Sequence, residues 1–133
     1  MRRLSLILAL GTSLALIAQA FAARPHFIGT PVCTDVGGRV CCSGKIAGLG
    51  TAPTVVEIDA QFTCQNRGGN NPPGLASGQS APITPSGGQI TFANVCTAQG
   101  RCPDQMIPTF GPSVTLNLFQ NGNLVFSATI PLG

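Results

Sequence analysis

Polar and apolar residues alternate with a period of two along most of this chain. Between Thr54 and Cys64, Val56, Ile58, Ala60, Phe62 and Cys64 share one face, and Glu57, Asp59, Gln61 and Thr63 share the other. This is the pattern of a strand with one side buried. Two more such runs close the chain. Val114, Leu116 and Leu118 alternate with Thr115 and Asn117, and Leu124, Phe126, Ala128 and Ile130 alternate with Val125, Ser127 and Thr129. Asn121-Gly122 stands between the two runs, and both residues accept the positive φ of a two-residue turn. Residues 113–130 are therefore predicted to form a β-hairpin.

Shorter alternations predict further strands. Ile90 and Phe92 set the parity of Gln89 to Val95, which carries Cys96 inward. Val40, Cys42 and Ile46 set that of Arg39 to Ile46, with Cys41, Ser43 and Lys45 on the other side. Phe27 to Thr34 precedes them, joined by a turn at Val36-Gly37-Gly38. Apolar residues nowhere recur at three and four, and Gly and Pro interrupt the chain every few residues, so no helix is expected. Six or seven short strands divided by turn residues predict an all-β chain folded as a single antiparallel β-sandwich.

Two segments resist a strand assignment. Asn66 to Pro85 is rich in Gly, Pro, Asn and Ser, and Thr97 to Pro112 holds Cys102-Pro103-Asp104 and two further prolines. Both read as long loops at one end of the sandwich, and loops often carry function. The expected binding residues are Asn66, Arg67, Asn70, Asn71, Pro72 and Pro73.

The first residues change the frame. Met1-Arg2-Arg3 is basic, Leu4 to Ala18 is apolar apart from Ser5, Gly11, Thr12 and Ser13, and Ala20-Phe21-Ala22 is a small–x–small site. These are the three parts of a secretory signal peptide. Residues 1–22 are expected to be removed, leaving residues 23–133 as one secreted domain, extracellular or periplasmic. No cysteine stands at the cleavage site to take a lipid, and the apolar end Ile130 to Gly133 is too short to hold a membrane, so no stable anchor is expected.

Without Arg2 and Arg3 the charge is nearly balanced. Arg24, Arg39, Lys45, Arg67 and Arg101 stand against Asp35, Glu57, Asp59 and Asp104, scattered along the chain. That gives no footprint for nucleic acid or an anionic membrane. Trp and Tyr are absent, which weakens a carbohydrate-stacking surface. The expected partner is a protein or another component of the cell envelope, met by a monomer.

Groups that could do chemistry are few. His26, the only histidine, lies near the new N-terminus. Glu57 and Asp59 share a strand face about 7 Å apart by strand rise. A carboxylate pair can serve glycoside hydrolysis, but alternating acids on an outward face chiefly provide solvation. Ser43 lacks a G-x-S-x-G elbow, and Gly44-Lys45 lacks the upstream glycines of a phosphate loop. Gly68 to Asn71 offers carbonyls but no carboxylate to calcium. With no C-x-x-C and a single histidine, zinc is not expected. No catalytic residue, metal or cofactor is assigned, and the chain is read as a non-enzyme. A small inhibitor with a loop stiffened by Pro72-Pro73, or a hydrolase, is a lesser alternative.

Six cysteines follow the signal segment: Cys33, Cys41, Cys42, Cys64, Cys96 and Cys102. An even number in a small exported chain indicates a disulfide framework, with 15 possible pairings. A turn centred on Gly37 places Cys33 opposite Cys41, while Cys42 and Cys96 both point inward. Those parities predict Cys33–Cys41 and Cys42–Cys96.

Three motifs stand out: Ser43-Gly44-Lys45-Ile46-Ala47-Gly48-Leu49-Gly50, the stretch from Cys64 through Arg67-Gly68-Gly69-Asn70-Asn71-Pro72-Pro73-Gly74, and Cys102-Pro103-Asp104. In order and spacing they resemble a family of small secreted bacterial proteins of unknown function, with an SGxIAGLG turn, a CxNxGGNxPPG loop and a late Cys-Pro before a final hairpin. The resemblance covers nearly all of the mature chain. It implies an immunoglobulin-like sandwich without catalytic residues, and it implies a Cys64–Cys102 bridge. The chain departs from the family in Cys33, Cys41, Cys42 and Cys96, and in lacking an aromatic residue soon after the late Cys-Pro. The cysteine order is also similar to the first six cysteines of fungal hydrophobins, surface-active coat proteins. That resemblance implies Cys33–Cys102, Cys41–Cys96 and Cys42–Cys64 instead. Against it, Pro103 replaces the second half of a doublet at Cys102, and the gap from Cys64 to Cys96 is long.

Overall fold

The computed structural model describes residues 24–65, 72–104 and 106–133. The expected signal peptide, and Asn66, Arg67, Asn70 and Asn71 of the expected binding loop, lie outside them. The described residues form nine strands and no helix: β1 (His26–Phe27), β2 (Val32–Asp35), β3 (Val40–Ala47), β4 (Thr54–Gln65), β5 (Pro73–Gln79), β6 (Ile90–Cys96), β7 (Ile107–Phe110), β8 (Ser113–Gln120) and β9 (Asn123–Pro131). They build two antiparallel sheets. In the first, β3 pairs with β6 on one edge and with β1 and β2 in tandem on the other. In the second, β4 pairs with β5 on one edge and with β8 and then β7 on the other, and β9 follows β8.

Alternation decides which sides meet. Val56, Ile58 and Ala60 of β4, with Val114, Leu116 and Leu118 of β8, pack in one core cluster with Val40, Cys42 and Ile46 of β3 and Ile90, Phe92 and Val95 of β6. A smaller cluster of Phe62, Cys64 and Ala76 continues it at the far end of β4. The final hairpin turns on Asn121 and Gly122 with φ of 51° and 76°, the left-handed pair its sequence requires.

Two predicted loops contain strands. Pro73–Gln79, within the expected loop from Asn66 to Pro85, is β5, and it pairs with β4 from Thr63 to Glu57. Its inward side chains are Gly74, Ala76 and Gly78, too small to register as an apolar face. They are small because the space is taken: a Cβ on Gly74 would strike the Phe62 ring, and one on Gly78 would strike the Cys96 carbonyl. Ile107–Phe110, within the expected loop from Thr97 to Pro112, is β7. It is an edge strand, which is where Pro108 is tolerated.

Two of the three predicted bridges are exchanged. The bonds are Cys33–Cys42, Cys41–Cys96 and Cys64–Cys102. The turn after β2 is one residue wider than expected, with Val36 N donating to Arg39 O at 2.7 Å. Cys33 therefore pairs directly with Cys42 and Thr34 with Cys41. A slip of one residue exchanges the two faces of a strand. Cys96 turns outward for a second reason. The β3–β6 ladder carries a bulge opposite Ser43, where Asn94 has φ 52° and its N–H donates to Ser43 Oγ at 3.0 Å. One extra residue reverses the parity, so Val95 enters the core and Cys96 lies opposite Cys41 on the outer side. The bridges thus staple opposite faces of one sheet, one inside the core and one outside. Of the hydrophobin order only Cys41–Cys96 is formed.

A similar shift in the last hairpin, between Leu118 and Phe119, leaves Leu124 outward and 56 % exposed rather than on the core side with Phe126 and Ile130.

The sheets are joined at both seams. Beyond β9, Leu132 bridges Cys33 in parallel, and Gly133 N donates to Cys33 O at 3.0 Å. Beyond β6, Thr97 N donates to Val40 O, Val40 N donates to Thr97 Oγ1, and Ala98 N donates to Ser77 O of β5.

Candidate binding surface

The strands β5, β4, β8 and β9 place one row of polar side chains side by side on the outer face of the second sheet. Glu57 pairs with Gln79 and Asn117, and Asn117 with Ser127. Asp59 pairs with Ser77 and Thr115. Asn117 Nδ2 donates to Glu57 Oε1 at 3.2 Å and to Asp59 Oδ2 at 3.3 Å. Gln79 Nε2 donates to Glu57 at 3.0 Å, Ser77 Oγ donates to Asp59 at 2.6 Å, and Ser127 Oγ donates to Asn117 Oδ1 at 2.8 Å. Each carboxylate is thereby held in place by neutral donors from neighbouring strands.

Their proton affinities part in opposite directions. The bond from Gln79, followed by that from Asn117, holds Glu57 below the usual carboxylate range. Partial burial pushes Asp59 above it, and the nearby Glu57 charge adds to the rise against the opposing bond from Ser77. Changing Glu57 to Gln is expected to bring the Asp59 titration, followed by carboxyl NMR, down toward the ordinary value. The consequences for stability carry opposite signs. Asp59 favours the fold while protonated, and this contribution is lost as pH rises through its folded value. Glu57 favours the fold while ionised, and this contribution is lost as pH falls through its folded value. The slopes oppose one another, so Asp59→Asn should leave a urea midpoint that falls more steeply on acidification than that of the wild type.

Beyond Asp59 the same face keeps Gln61 and Thr63 on β4 and gains apolar Pro73 and Leu75 from β5. The chain leaves β7 and enters β8 through Gly111 and Pro112, with Gly111 N donating to Gln61 O at 3.1 Å. This break opens a cleft of about 550 Å³ lined by Gln61, Thr63, Pro73, Leu75, Thr109 and Phe110, among others. A second hollow of about 380 Å³, reaching Asp59 and Thr115, shares Gln61, Leu75 and Gly111 with it. Leu75 is 62 % exposed and Ile107 is 72 % exposed. The two segments read as loops do converge: β5 and β7 flank the same half of β4, and Cys64–Cys102 ties them there. Of the expected binding residues, Pro73 lines the cleft, and Pro72 precedes it with its carbonyl accepting from Cys64 N at 3.0 Å.

The partners of the acidic pair escaped the sequence because they lie on three other strands. Asn117 and Ser127 stand on the polar parities of their own strands, and the β5 partners show only as Ser77 and Gln79 set against Gly74, Ala76 and Gly78.

Other expectations resolve into structure. In the Ser43–Gly50 motif, Ser43 accepts at the bulge, a Cβ on Gly44 would crowd the Phe92 ring, and Ile46 and Leu49 enter the core. At Gly48, φ is 80° and the Arg24 carbonyl occupies the place of a side chain. The motif shapes a corner of the fold. His26 is exposed, and its Nδ1 donates to Arg24 O at 2.8 Å. Among the described residues no group of three or more His, Cys, Asp or Glu is placed to hold a metal ion, and no helix is long and apolar enough to cross a membrane.

Neither a protein-family model, nor a curated protein, nor a solved structure matches this chain.

Proposed function

We propose that this chain is a secreted, non-catalytic binding protein that acts at or beyond the cell envelope through the cleft between β5, β4 and β7. The carrying observation is that cleft: both long segments converge on it, its lining is mostly apolar, and Leu75 stands exposed at its rim. Small-molecule and peptide sites are commonly concave and apolar with a few fixed polar groups, and the Glu57–Asp59–Asn117 array supplies those groups alongside. Two antiparallel sheets around one core, stapled by three disulfides with no free cysteine, support an immunoglobulin-like sandwich and an oxidising compartment. The resemblance to the secreted bacterial family points the same way. The surface-active alternative is disfavoured by the bridge pattern, since two of the three hydrophobin pairs are not formed.

The test uses protein recovered from the culture medium, whose mass should correspond to a start at Ala23. Labelled wild type should bind isolated envelopes of the producing organism saturably. Leu75→Asp, an exposed change, should lower that affinity at least about tenfold while leaving the melting temperature unchanged. Equal binding by the two proteins, or none by either, would overturn the assignment.

A further inference from the structure

We infer that β9 is a docking edge for a second copy of this chain, forming a two-fold dimer with a continuous sheet across it. Strand β9 ends the second sheet, in the order β5, β4, β8, β9. Its free edge, from Asn123 to Thr129, has no backbone partner from another strand among the described residues. Unpaired edges are templates for further pairing, and proteins ordinarily guard them with charge, proline or a covering segment. Beyond the bulge at Val125, from Phe126 to Thr129, these guards are missing. No charged side chain follows Asp104 anywhere in the sequence, and β9 meets its first proline only at Pro131. The other edges are closed or interrupted. Gly133 covers β2, Ala98 reaches β5, β6 bulges at Asn94, and β7 is four residues long with Pro108 inside it.

A second, independent observation lies on the same flank. Phe126 of β9 is only partly buried and meets Phe27 of β1 edge-on, with ring centres 5.5 Å apart. Exposed apolar side chains adjoin that pair in sequence on both sides. They are Ile28 at 39 %, Leu124 at 56 % and Val125 at 36 %. The edge is thus uncharged and its surroundings are apolar.

The occupant follows from self-complementarity. An antiparallel two-fold centred on Ala128 sets Phe126 against Ile130 on the inner side and Ser127 against Thr129 on the outer side. Apolar residues then meet apolar ones, hydroxyls meet hydroxyls, and the smallest side chain lies on the axis. Both copies contribute the same patch, as a closed two-fold interface requires. Pairing completes the burial of Phe126. The monomer expected from the sequence then becomes the dilute form of an equilibrium.

Sedimentation of the mature, oxidised protein over about 1–500 μM tests this. Dimer should grow with concentration. Thr129→Lys places a charge on an exposed edge position and should weaken association at least about tenfold without moving the melting temperature. Thr91→Lys, exposed on β6 in the other sheet, should leave association unchanged. Hydrogen exchange on the wild type needs no variant: β9 amides should gain protection as concentration rises. Monomer throughout, or a dimer indifferent to Thr129→Lys, or β9 exchange independent of concentration would each overturn the inference. The cleft lies across β5, β4 and β7, at the opposite edge of the sheet, so its binding is read separately.

Discussion

Replacing both Cys41 and Cys96 by alanine is expected to lower stability by about 4 kcal/mol. The bridge closes a separation of 55 residues, and the chain-entropy penalty it removes from the unfolded state grows with the logarithm of that length. The Cys33–Cys42 bridge closes only 9 residues and supplies about 2.6 kcal/mol by the same reasoning. Core packing then narrows the difference, because Cys33 and Cys42 are buried and their loss leaves a void. The outer bridge should still dominate, since its sulfurs fill no core space and its whole contribution acts through the unfolded chain. Urea unfolding of the two double variants measures the order. The pairing itself has a direct test. Cys33→Ala should leave Cys42 as the thiol that alkylates after denaturation, with Cys41 still bridged. Labelling of Cys41 instead would restore the pairing that the strand parities first predicted.

Gly78→Ala should cost about 3 kcal/mol and lower the melting temperature by about 12 °C. The added methyl group would meet the Cys96 carbonyl, which is backbone. Neither side can yield cheaply. Gly78 is held in the β4–β5 ladder opposite Ile58, and Cys96 is held opposite Cys41 and bonded to it. Relief would require parting the seam where Ala98 donates to Ser77. Gly50→Ala is the control. Gly50, unlike Gly78, has a positive φ, of 65°, but open space surrounds it, so only the conformational cost of about 1 kcal/mol remains. Equal losses at the two positions would show that the seam tolerates repacking.

These two sites mark where sequence reading succeeds and where it stops. The long alternation from Val56 to Cys64 and the Asn121-Gly122 turn are local signals, and β4 and the final hairpin follow them closely. Strand β5 was hidden because its inner residues are shaped by neighbours: Gly74 by Phe62 and Gly78 by β6. Periodicity counts large apolar side chains, and a strand pressed against another backbone has none. The disulfides failed for a related reason. Face assignment by parity holds only while the register does, and one wider turn at Val36 with one bulge at Asn94 exchanged the partners of four cysteines. The candidate site was half legible. Glu57 and Asp59 were visible as an outward pair, but Gln79, Ser77 and Asn117 reach them only through sheet pairings that no local pattern specifies.

The bridges also determine how the oxidised molecule would carry mechanical load. Pulled from residues 24 and 133, tension runs to Cys33, crosses to Cys42, steps back one residue to Cys41, crosses to Cys96 and continues to the end. Strand β4, most of β3 and all of β5 lie off that path. Only ~50 residues can be drawn out, about 175 Å of contour, against ~385 Å for the reduced chain. In the oxidised state the cleft residues on β4 and β5 would therefore sit in a part of the chain that tension cannot unravel.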